Sequence, residues 1–298
     1  MQKTEWEGKT GGGSFGQGVL AWFFRYVDVR FGYLGVRVVV VFYMLFARKR
    51  CLAIYRYFRE RQNYPRFKAW CKTYRNHYLF GQTVLDKFAI FSGHGKQYRV
   101  TISGNEYFEQ ALDTEKGCVI ASSHVGNFEI AGYLLEQRKK KMNGIIFGEE
   151  AEVVQRLRTE MLGMHNVHLI PVAADMSHIF HIHAALSRNE IVSMPCDRIF
   201  SGNKKRTLEF LGAKACFPTG AYYLAEQFKT GVLALFVMKE SALHYHIYVR
   251  PLVIPEELDK REERVKALSE CFVRELSGIL KRYPEQWYNF YSFWDAEE

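Results

Sequence analysis

The sequence predicts an α/β fold, a largely parallel central sheet flanked by helices, preceded by N-terminal membrane-associated helices. Three observations carry that prediction. Short apolar runs alternate along the chain with segments of helical periodicity roughly ten residues long, the pattern of βαβ units. Polar residues follow directly on several of these runs, at the strand ends where open parallel sheets place ligands. The first fifty residues differ from the rest, being apolar, aromatic and basic at once. With 298 residues and 48% hydrophobic content the chain can bury a full core. The expected organisation is a polar lead-in plus a membrane-associated helical segment over residues 1–50 and one main domain over residues 51–298.

Residues 1–18 are polar and glycine-rich. From Val19 to Ala47 the chain turns strongly apolar, with Leu20, Trp22, Phe23, Phe24 and Tyr26 and then an unbroken run from Val38. Arg25, Asp28, Arg30 and Arg37 interrupt it. Its longest charge-free run, residues 38–47, falls short of the roughly 18 residues that a bilayer-spanning helix calls for. The scattered charges also lack the form of a cleaved signal peptide. A pair of interfacial helices fits better, apolar faces dipping into lipid while basic residues meet anionic headgroups, so the membrane surface is an expected partner through residues 19–50. Charge agrees: residues 1–100 hold 18 Lys/Arg against 5 Asp/Glu, while the whole chain carries +9. Arg48-Lys49-Arg50 and residues 56–75 alternate basic and aromatic side chains, which also marks nucleic-acid surfaces. No helix-turn-helix, RRM or zinc signature accompanies them, so no nucleic-acid partner is expected. Six cysteines without C-x-x-C spacing point to reduced thiols rather than a disulfide framework or metal site.

Residues 98–102 read as a strand and 105–112 as a short helix. Strands follow at 119–121, 144–147, 168–172 and 191–195, with helices over 152–164 and 176–186 between them. After Thr207-Leu208-Glu209-Phe210-Leu211 and a turn at Pro218-Thr219-Gly220 come a helix over 221–228, strands over 232–238 and 244–249, and a last helix over 258–283. His244 and His246 alternate on one strand face, and His178, His181 and His183 lack the partners a metal site needs, so no metal is expected. The aromatic cluster Trp287, Tyr288, Phe290, Tyr291, Phe293 and Trp294 ties the C-terminus to the body.

The chain is organised around Val119-Ile120-Ala121-Ser122-Ser123-His124-Val125-Gly126-Asn127-Phe128-Glu129. His124 falls where a buried strand ends and a helix begins. Asn127 is the candidate N-cap, which puts Glu129 in the first helical turn, where the macrodipole favours a carboxylate. Residues five apart on one helix diverge by roughly 140°, so His124 and Glu129 can meet only with His124 still on the loop. A carboxylate there holds the imidazole tautomer while the other nitrogen takes a proton, the logic of a catalytic dyad. A two-residue motif of this kind is common by chance, and its context has to carry the rest.

That context is the order of several motifs. Phe31-Gly32-Tyr33-Leu34, then Ser123-His124-Val125-Gly126-Asn127-Phe128-Glu129, Pro195-Cys196-Asp197-Arg198, Leu208-Glu209-Phe210-Leu211-Gly212, Pro218-Thr219-Gly220-Ala221 and Pro284-Glu285-Gln286-Trp287 follow one another. Together they resemble the bacterial lipid A late acyltransferases, the lauroyl/myristoyl transferases of the lysophospholipid acyltransferase superfamily, from about residue 31 onward. The resemblance implies that residues 51–298 are the acyltransferase domain, with His124 as general base and Glu129 as the acid that orients it. It further implies a monotopic enzyme on the cytoplasmic face of the bacterial inner membrane, with acyl carrier protein as donor partner and a lipid acceptor such as a lipid A precursor. Asp197-Arg198 stands where family members often show Asp followed by Gln or His.

The chemistry expected is direct transfer. His124 takes the proton of an acceptor hydroxyl as that oxygen attacks a thioester, and the resulting oxyanion needs fixed donors, for which the backbone N–H groups around Gly126 and Asn127 are candidates. Asp197 and Arg198 are candidate substrate-binding residues, and the cations Arg156, Arg158, Lys204, Lys205 and Arg206 are candidates to bind a phosphate of acceptor or carrier. Acyl-ACP and acyl-CoA share the phosphopantetheine thioester and no further cofactor is called for. Lysophospholipid, aminolipid and aryl-polyene-type acceptors all suit the same dyad. A thioesterase is the rival activity, but no G-x-S-x-G elbow is present, and Cys118, Cys196 and Cys216 read as small buried hydrophobes rather than nucleophiles.

Overall fold

The alternation of apolar runs and helical periods builds one seven-stranded sheet in the order β1-β9-β8-β2-β5-β3-β4, with a separate two-stranded hairpin. The computed structural model describes residues 28–135, 139–147, 166–172, 177–199 and 204–294. The lead-in over 1–18, the start of the apolar segment up to residue 27 and the expected helix over 152–164, with Arg156 and Arg158, lie outside the described residues. The elements are α1 (Val29–Phe46), α2 (Arg48–Arg56), α3 (Arg66–Ala89), β1 (Arg99–Ser103), α4 (Asn105–Asp113), β2 (Cys118–Ser122), α5 (Ala131–Leu134), β3 (Met142–Phe147), β4 (Val167–Val172), α6 (Ser177–Ser187), β5 (Ile191–Pro195), β6 (Lys205–Phe210), β7 (Ala213–Pro218), α7 (Gly220–Phe228), β8 (Gly231–Ser241), β9 (His244–Pro251) and α8 (Arg261–Arg282).

Every pairing within the large sheet is parallel except β8 with β9. β2 lies inside it, between β8 and β5, and all five of its residues are buried. That explains its unbroken apolar character, because a parallel strand covered on both faces has no polar side to show. Val119 and Ala121 join a core with Phe236, Tyr222, Phe272 and Leu276, beneath α6, α7 and α8. Cys118 and Ile120 join the opposite core with Leu85, Phe88, Phe108 and Tyr245, beneath α1, α3 and α4.

α1 begins at Asp28, whose Oδ1 accepts the Arg30 N–H at 2.8 Å. It buries Val29, Tyr33 and Val40, and Gly81 of α3 lets the two helices approach, since a Cβ there would press on Val36. The opposite face is open: Phe31, Leu34, Val38, Val39, Phe42 and Leu45 are more than half exposed and Phe46 is 85% exposed. By length and composition α1 is long and apolar enough to cross a membrane, a reach that the charge-free run over 38–47 alone did not suggest. Where two helices were expected over residues 19–47, the described part, from Val29 on, is one continuous helix, and the basic α2 follows it.

Two local expectations are corrected. The helix expected to start after Asn127 is only a 3₁₀ turn, Phe128–Ile130, and the single α-turn of α5. The strand read at Leu208 is one arm of a hairpin whose second arm was not expected: β6 pairs antiparallel with β7, and Leu211 and Gly212 both have positive φ, the type I′ geometry of a two-residue hairpin turn. Leucine at the first turn position hid the signal, because asparagine, aspartate or glycine normally supplies it.

Candidate active site

The site is set by strand register. β2 and β5 are parallel neighbours with Ser122 opposite Pro195, and Cys196 N–H donates to Ser122 O at 2.8 Å. Two residues beyond each strand end, the same offset brings His124 to Asp197. There the side chain continues the ladder: His124 N–H donates to Asp197 Oδ2 at 2.8 Å and His124 Nδ1–H donates to Oδ1 at 2.8 Å. Trp287 Nε1–H adds a third contact on Oδ2 at 3.3 Å. With Nδ1 committed to a carboxylate, the imidazole proton sits there and Nε2 keeps its lone pair.

The loop that follows is clamped from two sides. Gly126 N–H donates to Gln286 O and Asn127 N–H to Val237 O, each at 2.8 Å, and Tyr288 N–H returns to His124 O at 2.9 Å. Gly126 has φ +61, and a Cβ there would collide with the Val237 carbonyl oxygen, so the position calls for glycine. The Gln286 side chain fastens this C-terminal segment to the sheet by taking the Lys239 N–H at 2.9 Å and donating to Lys239 O at 2.8 Å. That is a structural reason for Pro284-Glu285-Gln286-Trp287: glutamine fixes the segment and tryptophan reaches Asp197.

Electrostatics leave the imidazole neutral at pH 7. Burial is the largest influence and pushes its pKa down, the Arg198 cation pushes the same way, and Asp197 opposes both. For Asp197, burial pulls upward, but the His124 imidazole, its hydrogen bonds and Arg198 outweigh it and hold the carboxyl below the usual range. Asp197 is 1% exposed, whereas the His124 side chain retains 14% exposure, so the imidazole is more accessible than the carboxylate that holds it. The ring also meets Phe128 edge-on, centroids 5.3 Å apart.

The other expected site residues fall into three places. Glu129 pairs with Lys87 Nζ at 3.0 Å and still raises the His124 pKa through its charge. It reaches the imidazole electrostatically while Asp197 holds Nδ1. Asn127 does not cap the following turn with its side chain. Its amide turns inward to Thr83 O at 3.1 Å and Tyr245 OH at 3.3 Å. The N–H groups of Gly126 and Asn127, candidates for an oxyanion, are taken up by the clamp. Arg198 is buried, donates to Tyr288 O at 3.1 Å and lies within electrostatic range of His124 and Asp197. Arg206, on the hairpin, reaches Glu262 of α8 at 3.5 Å.

Nucleophile chemistry finds little purchase here. Burial pushes the Cys118 and Cys196 thiols up to about 12, far from thiolate formation at neutral pH. Ser122 and Ser123 are buried and their hydroxyl oxygens have no hydrogen-bond partner among the described residues, so neither is paired there with a base. Among the described residues no group of three or more His, Cys, Asp or Glu side chains is placed to hold a metal ion. Sequence reasoning missed Trp287 as an Asp197 donor and Thr83 and Lys87 as supports of the loop. The one linear signal was the matching position of His124 and Asp197, each just past an apolar run.

The family model described as bacterial lipid A biosynthesis acyltransferase matches residues 71–295, which include every residue of this site. No curated protein sequence matches the chain. Among solved structures, the 1-acyl-sn-glycerophosphate (LPA) acyltransferase PlsC from Thermotoga maritima is similar at 14% identity and a TM-score of 0.38, over 88% of this chain and 95% of that one.

Proposed function

The chain belongs to the bacterial lipid A biosynthesis acyltransferase family, and on that premise we propose that it is a membrane-associated O-acyltransferase that moves a fatty acyl chain from acyl-ACP to a hydroxyl of a lipid acceptor such as a lipid A precursor. His124 Nε2 takes the hydroxyl proton as the oxygen attacks the thioester carbonyl. Collapse of the tetrahedral intermediate breaks the C–S bond, and the imidazolium returns its proton to the departing thiolate, so ester and free thiol are the products. Asp197 holds the tautomer and steadies the imidazolium through Nδ1, and Glu129, fixed by Lys87, adds negative charge beside it. The buried Arg198 cation supplies positive potential near the developing oxyanion.

One observation carries this reading: both nitrogens that Asp197 binds on His124, backbone N and Nδ1, lie at 2.8 Å, leaving Nε2 unprotonated on a ring that keeps some exposure. The open face of α1, with Arg30 and Arg37 on the same helix and Arg48, Lys49 and Arg50 beyond it, suits a headgroup boundary and favours a lipid acceptor over a soluble one. A donor made in the cytoplasm places this contact on the cytoplasmic face of the inner membrane. The test offers acyl-ACP and acyl-CoA separately with a total lipid extract to the detergent-solubilised protein and reads products by mass spectrometry. A lipid gaining one acyl chain, preferentially from acyl-ACP, is the expected result. Free fatty acid without acyl-lipid would replace the transferase by a thioesterase.

A further inference from the structure

Behind the catalytic loop lies a buried polar cluster that the transfer chemistry does not use. Asp86 of α3 is fully buried, and its carboxylate receives Tyr98 OH at 2.9 Å, Tyr33 OH from α1, Tyr245 OH from β9 and the Lys239 ammonium from β8. Lys239 spends its other two protons on Ala242 O at 2.8 Å and Tyr33 OH at 3.1 Å. Burial raises the pKa of Tyr33, Tyr98 and Tyr245, so the phenols keep their protons and remain donors. Apolar side chains of similar size would fill this space at less cost in desolvation, so stability alone is a poor reason for a buried Lys–Asp pair among three phenols.

The cluster touches the catalytic loop through one atom and one helical turn. Tyr245 OH accepts from Asn127 Nδ2 at 3.3 Å. The α3 turn that carries Asp86 also gives Thr83 O to the same amide at 3.1 Å and Lys87 to Glu129 at 3.0 Å. Residues 83, 86 and 87 lie on a single turn of α3, which meets the loop directly at two points, Thr83 O and Lys87, and through Tyr245 at a third. Through Tyr33 the same carboxylate holds α1, whose other face is the exposed apolar one.

We propose that Asp86 is a positioning residue of the acyl-transfer site: the brace it forms with Tyr33, Tyr98, Lys239 and Tyr245 holds the His124 loop in register with the lipid-facing helix α1. The inference rests on the acyl-transfer reading for its kinetic consequence and on geometry for the brace itself. Two measurements on the full-length protein separate these. Tyr245→Phe and Tyr33→Phe each remove one hydroxyl, and Asp86→Asn with Lys239→Met removes both buried charges together. Hydrogen exchange is followed in peptides spanning residues 122–130 and residues 261–282, alongside kcat and KM with acyl-ACP.

In Tyr245→Phe the loop peptide is expected to lose protection by about tenfold or more while the α8 peptide keeps its own. The expected kinetic counterpart is a fall of about tenfold in kcat with KM unchanged. Tyr33→Phe is expected to act in the same direction. The phenol variants keep the test alive if the double substitution fails to fold. Unchanged loop protection in both, or equal loss in loop and α8, would reduce the cluster to a structural element and overturn the proposal. If the wild-type protein transfers no acyl chain, the catalytic reading falls and the exchange data alone decide the brace.

Discussion

Replacing Asp197 by asparagine keeps the shape of the side chain and removes what His124 needs from it. Oδ1 accepts the imidazole Nδ1–H, while Oδ2 accepts the His124 backbone N–H and the Trp287 indole. Asparagine has one acceptor oxygen. Set at the Oδ2 position, it turns its NH2 toward Nδ1, and the imidazole must move its proton to Nε2, the atom that has to act as base. Set the other way, it faces two N–H donors with a third. A hydrogen bond to a charged group is worth roughly 1.5–3 kcal/mol, and loss of the working tautomer adds to that. The expected fall in kcat is about 10²–10⁴, or ~2.7–5.4 kcal/mol at about 1.36 kcal/mol per decade. KM is expected to stay near the wild-type value, because the buried carboxylate is screened from substrate by the ring. Raising the pH brings no rescue, since Asp197 is what raises the His124 pKa against burial and Arg198. Initial rates of transfer from acyl-ACP to vesicle-borne acceptor, with circular dichroism as the folding control, measure this. Glu129→Gln, which loses a mostly buried ion pair with Lys87 and a negative charge that acts on His124 without holding Nδ1, is expected to cost only about tenfold. A folded Asp197→Asn enzyme at wild-type rate, or a larger loss in Glu129→Gln, would refute the division of labour.

Three further outcomes follow from the same geometry. Because burial and Arg198 depress the His124 pKa, the imidazole is already neutral at pH 7 and ready for the proposed role of base. Plots of kcat/KM against pH are then flat upward from neutrality and fall on acidification with a midpoint below the ordinary histidine value. Gly126→Ala forces a Cβ against the Val237 carbonyl at φ +61; a loss of about 1–3 kcal/mol in unfolding free energy and of most activity is expected, read by chemical denaturation and the transfer assay. Phe42→Glu with Leu45→Glu, on the open face of α1, removes two side chains each worth roughly 1.5–3 kcal/mol when buried. Vesicle sedimentation is expected to show at least tenfold weaker binding, with transfer to detergent-dispersed acceptor retained.

Most of the sheet was legible because buried parallel strands advertise themselves as apolar runs. Residues 191–195 were bounded as the structure bounds them, and β2, β4, β8 and β9 differed by at most a few residues at their ends. β7 was not legible: its partner lies across a Leu211-Gly212 turn whose first residue gives no turn signal. His124 and Asp197 could both be placed at strand ends, but their contact depends on β2 and β5 being neighbours in a given register, and pairing is a tertiary fact. Glu129 lies close to His124 in sequence, and the short turn after Asn127 delivers it to Lys87 while its charge still acts on the imidazole. Asn127 carries the side chain of a cap, but buried acceptors on α3 and β9 compete for its amide and win. The Asp86 cluster was invisible because its members are spread from residue 33 to residue 245. What the sequence could not carry was long-range side-chain geometry.

Whether His124 is the base for transfer is decided by His124→Gln, assayed with radiolabelled acyl-ACP and acceptor vesicles beside the wild-type enzyme. Wild-type protein is expected to label the acceptor lipid, and the variant to fall to background while it keeps its circular dichroism spectrum and its vesicle binding. A folded, vesicle-bound His124→Gln enzyme that labels the lipid at the wild-type rate would contradict the account.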